Sequence, residues 1–136
     1  MPDPALREYV AGAIRITVQR RCTTDDEGVA VRVYGRIGQE ERQVLRFDCF
    51  RNSPHYHYDP QGKDEVHQMA DEDITDPIEW TVNRLERSLA DMVRRAGFGQ
   101  LADQIDPSLL ATQLPAIREA IAELAQPDEE TAGARS

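Results

Sequence analysis

Cysteine, lysine, tryptophan and long apolar runs are all scarce in this chain of 136 residues. The two cysteines, Cys22 and Cys49, match no metal-knuckle or disulfide-framework spacing, so neither a zinc ribbon nor a stapled secreted fold is expected. No stretch approaches the roughly 18 apolar residues that suggest a membrane-spanning helix. MPDPALREYV has no signal-peptide pattern. These absences predict a reduced, cytoplasmic protein with no membrane partner. Positive charge is also short, since 16 basic residues against 25 acids leave a net charge of −9. Such a chain repels nucleic acid and anionic membrane surfaces. The deficit belongs to the second half: residues 1–58 hold nine arginines and eight acids, whereas 59–136 hold seven basic residues and seventeen acids.

Recognisable catalytic and cofactor motifs are missing too. GFGQLA (97–102) has dinucleotide-loop spacing but follows a helical pattern, where a phosphate loop needs a strand before it. DEDITD (71–76) starts like a calcium loop, yet lacks glycine at the sixth position and has Val82 where the bidentate glutamate belongs. Ser53 sits in no glycine-rich elbow, so no serine nucleophile is evident.

What the chain does contain is clear periodicity. Ile14, Ile16 and Val18 alternate with polar residues, as do Val29, Val31 and Val33, then Leu45, Phe47 and Cys49. That period of two predicts half-buried strands, separated by turns at CTTDDEG (22–28), GQEE (38–41) and RNSP (51–54). HYHY adds a fourth strand and EVHQM a short fifth, while 2–12 reads as a loose lead-in with at most one helical turn. From Asp76-Pro77, an N-cap and first-turn pair, the period changes to 3.6. Ile78, Val82, Leu85, Leu89, Met92, Val93 and Ala96 form one stripe, predicting a helix over 77–96 that Gly97 ends. Shorter and longer helices follow at 100–105 and 107–125, with Pro115 expected to break or kink the latter. Strands before helices give an α+β fold: an antiparallel β-meander of four or five strands (about 13–69), packed on one face by C-terminal helices. One domain over 1–125 and a tail over 126–136 are expected.

The chemistry gathers at 41–67, which holds all three histidines. A four-residue RNSP loop sets Asp48 opposite His57, Cys49 opposite Tyr56 and Arg46 opposite Asp59. Phe47, Cys49, Tyr56 and Tyr58 then face the core, leaving the polar ladder outside. A five-residue turn between the second and third strands would also put Arg32 opposite Asp48. His55 and His57, two apart in a strand, present both imidazoles to one face. With Asp48 or Asp59, and with His67 if the chain returns, they make a nitrogen–oxygen set suited to a divalent transition metal such as zinc, nickel or iron, although this register turns His67 to the opposite side, near Tyr56. No other cofactor is predicted. His57 backed by Asp48 also has the form of an oriented general base, and Asp48 can equally hydrogen-bond His57 as a structural pair. A second candidate is the helix over 77–96. Trp80, Arg84, Arg87 and Arg94 fall opposite its apolar stripe, a tryptophan–arginine surface suited to a protein partner or a second copy. The sequence therefore predicts a small accessory or protein-interaction module without free-standing catalysis. The alternative is a metal-binding protein or metal-dependent enzyme built on Asp48, His55 and His57.

Overall fold

The structure, a computed structural model, describes residues 6–126. The tail expected over 126–136 therefore lies almost wholly outside the described residues, as does the start of the lead-in. Six antiparallel strands follow one another in a meander: β1 (Leu6–Ala11), β2 (Ile14–Cys22), β3 (Glu27–Ile37), β4 (Glu40–Phe50), β5 (His55–Tyr58) and β6 (Glu65–Gln68). A single 3-10 turn (Met69–Glu72) leads to α1 (Pro77–Arg87), α2 (Leu89–Arg95), α3 (Gly99–Gln104) and α4 (Pro107–Ala125). The fold is α+β, with the helices packed against the sheet.

One face of the sheet carries the period-two valines, isoleucines and Phe47, all buried in the core. Each helix meets this inner face. Thr81 of α1 reaches Cys49 at 3.3 Å, Trp80 packs on Phe47, Leu101 of α3 presses on Gly35, and Arg20 donates to the carbonyls of Leu124 and Ala125 at the end of α4. Glycine suits position 35, because a Cβ would stand 2.2 Å from a Leu101 methyl and force that side chain to move. No described helix is long and apolar enough to cross a membrane. The opposite, outer face is mostly polar, as expected of an antiparallel sheet with one side toward water.

Four local expectations are corrected. The lead-in is not loose: β1 is an edge strand, joined to β2 by a two-residue turn with Gly12 at φ 61°. Its sequence hid it because Leu6 and Val10 lie on the outer side, Val10 62% exposed, which spoils the alternation. The helix over 77–96 is two helices, interrupted at Ser88, whose backbone leaves the helical region at φ −135° and ψ 13°. α4 runs through Pro115 without a break. Pro115 and Ala111, whose carbonyl loses its partner, are both exposed, so solvent can satisfy that oxygen.

The fourth correction concerns register. Asp48 pairs with His55, Phe47 with Tyr56, Arg46 with His57 and Leu45 with Tyr58. The strands have slid by two residues from the RNSP hairpin, because Asp26 captures the connection. Its carboxylate accepts from the amides of Asn52 and Ser53, each at 2.9 Å, while Arg51 N–H donates to Glu27 O at 2.8 Å. Cys49 and Phe50 thus stay on β3 and are lost to β5. A slip of two keeps every side chain on its face, so the inner and outer sets survive while the partners change. The turn between β3 and β4 is likewise only two residues, followed by a bulge, and it sets Arg32 opposite Arg46 rather than Asp48.

Candidate metal centre

Asp48, His55 and His57 meet on the outer face, where the altered register gathers them more closely than the expected one. Asp48 Oδ2 lies 3.0 Å from His55 Nε2 and 3.2 Å from His57 Nε2. The three atoms a cation would contact all fall within 4.8 Å of one another. The imidazoles sit two residues apart on β5 with ring centroids 5.0 Å apart, and Phe50 packs edge-on against His55. Asp48 is 1% exposed, whereas the histidine side chains are 18% and 14% exposed, so the cluster is anchored below and open above.

The outer ring nitrogens are fixed as well. His55 Nδ1 lies 2.8 Å from the carbonyl of Ser53, and His57 Nδ1 lies 2.7 Å from Asp64 Oδ1. Both of these partners accept hydrogen bonds, which places an N–H on each Nδ1. A neutral imidazole has only one N–H. Its Nε2 then presents a lone pair, and two such lone pairs converge on one carboxylate oxygen. Either a further proton on a ring or a cation between them resolves this. The proton route has support at His55, where the hydrogen bond to Asp48 raises the pKa despite partial burial. Burial alone would raise the Asp48 carboxyl, but bonds from His55 and His57 and the adjacent Arg46 guanidinium hold it well below the usual range. The cation route matches the habit of metal-bound histidines, which donate their other nitrogen to a carbonyl or carboxylate.

The other expected site residues lie elsewhere. His67 is on the inner side of β6, stacked on Tyr56 with centroids 5.1 Å apart and held between Glu65 and Glu72. Asp59 pairs with Arg42 at 2.8 Å, not with Arg46, whose Nε instead donates to Asp48 Oδ1 at 2.9 Å. His57 has a carboxylate at each ring nitrogen, so it offers no free nitrogen as a general base. Cys49 is across the sheet, with burial pushing its thiol up to about 12. Trp80 is half-buried: it packs on Tyr56 and Phe47 at 4.8 and 6.1 Å, and Arg84 lies over its ring. Arg94 pairs with Asp103 at 2.7 Å, and Arg87 is exposed. The helix thus lays one side of its tryptophan over β4 and β5, which the stripe alone did not indicate. Asp64 and the Ser53 carbonyl were not foreseeable, because their roles come from turns that close in space.

The sequence profile of a family described as a domain of unknown function (DUF7700) matches residues 8–121. The chain belongs to that family. The matched stretch includes Asp48, His55 and His57, together with most of β1, all of β2 to β6 and most of α4. No curated protein and no solved structure matches the chain.

Proposed function

We propose that this member of the DUF7700 family binds a divalent transition metal through Asp48, His55 and His57. The observation carrying this reading is the convergence of both Nε2 atoms on Asp48 while acceptors hold both Nδ1 atoms. Two imidazoles and one carboxylate suit zinc, nickel or ferrous iron. Three protein ligands leave a position for water or substrate, which is the pattern of catalytic rather than structural zinc. The partly exposed imidazoles put that position toward solvent. Cys22 and Cys49 are both free thiols, in keeping with work in the reducing cytoplasm.

The test is elemental analysis of protein purified without a histidine tag, followed by thermal melting with added Zn²⁺ or Ni²⁺. Stoichiometric metal and a raised melting temperature are expected, both lost in His55→Ala. No metal and no thermal shift would end the proposal.

A second reading, an interaction module without chemistry of its own, draws on the exposed apolar residue beside the cluster. Val66, opposite His57 on β6, is 45% exposed. Light scattering decides its self-association form, for which a monomer at high concentration is the contrary result.

A further inference from the structure

The outer face holds more positive charge than a chain of net charge −9 requires. Arg32 and Arg46 stand directly opposite each other on β3 and β4. Like charges in one cross-strand pair repel. Arg46 gives its Nε to Asp48, which the two histidines already share. Arg32 makes no ion pair among the described residues, and its Nη1 donates to the neutral side chain of Gln19 at 2.8 Å. Burial lowers the Arg32 pKa, and the fields of Arg46 and Arg21 lower it further. On the other side of Arg32, in the same rung, Thr17 is 2% exposed and its Oγ1 has no hydrogen-bond partner among the described residues.

These features share one deficit, the lack of acceptor oxygen. A guanidinium presents five N–H donors, and a buried hydroxyl without a partner is costly. We propose that the Thr17–Arg32–Arg46 rung binds an oxyanion, the carboxylate or phosphoryl group of a small ligand. His57 is the next member of the rung after Arg46. With strands about 4.8 Å apart, a ligand seated on Arg32 reaches the histidine cluster with a body the size of a small organic acid or phosphate ester. Contact between that ligand and a metal rests on the metal reading above. Binding of the anion to the rung does not.

The experiment is a pair of NMR titrations of ¹⁵N-labelled protein in chloride buffer, one with methyl phosphate and one with acetate, each on metal-free and zinc-loaded protein. Saturable shifts are expected at the Arg32 and Arg46 side-chain N–H groups and the Thr17 amide. The tighter probe identifies phosphoryl or carboxylate chemistry. Arg32→Gln should weaken binding by roughly tenfold or more, the scale of one charge-assisted hydrogen bond, and leave zinc affinity unchanged. It should also melt no lower than wild type without anion, because it relieves repulsion; a purely structural arginine would lower the melt. Arg32→Lys keeps the charge should Arg32→Gln fail to fold, and weakens binding by removing the planar fork. Absence of saturation with both probes, or equal binding by the arginine variants, overturns the proposal. Anion binding without zinc binding would instead remove only the metal reading.

Discussion

Asp48 is 1% exposed on a sheet face that no described helix covers. It survives there as a carboxylate because His55, His57 and Arg46 all bond to it. Removing one partner of a buried charge network leaves the others unpaired, at a cost of about 3–5 kcal/mol. The partly exposed histidines and arginine here recover some solvation, so urea unfolding of metal-free Asp48→Ala should show a loss near the low end of that range. A loss below about 1 kcal/mol, the scale of an exposed pair, would mean that the cluster is not organised around Asp48. The thiols offer a second check at this scale. Cys22 is exposed, whereas burial pushes Cys49 up to about 12. A thiol-reactive disulfide reagent at neutral pH should therefore modify one cysteine quickly and the other only after unfolding. Two fast thiols would contradict the packing of β4 against α1.

At the scale of elements, the faces of the strands were legible and their partners were not. Alternation from Ile14 to Cys49 is a property of neighbouring residues, and it assigned the core correctly. The pairing of β4 with β5 depends on Asp26, more than twenty residues away in sequence, whose carboxylate holds Asn52 and Ser53. Burial by itself would raise the Asp26 pKa, but the amide bonds from Asn52, Glu27 and Ser53 hold it below the ordinary value of an aspartate. A depressed pKa contributes stability above the ordinary value, and that contribution disappears as pH falls through the folded value. The Asn52 and Ser53 amide resonances should thus titrate below the ordinary pKa of an aspartate. A midpoint above it would contradict the clamp. The helices show the same division. Asp76 caps α1 as its sequence predicts, accepting from Glu79 N–H at 3.1 Å. The break at Ser88 and the seating of Trp80 follow from tertiary fit over β4 and β5, which no local pattern records. The seat of α3 on Gly35 makes a further prediction. Gly35→Ala should destabilise by about 1–3 kcal/mol through overpacking, and less so when Leu101 is also alanine, as a double-mutant cycle in urea would measure. Equal costs in both backgrounds would contradict the contact.

On the scale of the whole molecule, the sheet separates two kinds of work. Its inner face and four helices supply the core, within a stretch that the DUF7700 profile spans almost completely. Its outer face carries one buried carboxylate, two histidines and an arginine rung, in a chain whose overall charge is negative. H-x-H spacing in the sequence pointed to this face, and period two explains why. Asp48 was placed beside these histidines too, although its expected partner was His57 alone; the slip of two residues brought His55 directly opposite it. The same register reasoning turned His67 away from this face toward Tyr56, and β6 does place it next to Tyr56 on the inner side. The most direct test of a metal centre on the outer face is an anomalous difference map from crystals of zinc-loaded protein, recorded at the zinc edge. The account predicts one strong peak about 2.0–2.2 Å from both Nε2 atoms and from a carboxylate oxygen of Asp48. A map with no peak there, or with its peak at His67 and Glu65 instead, would contradict it.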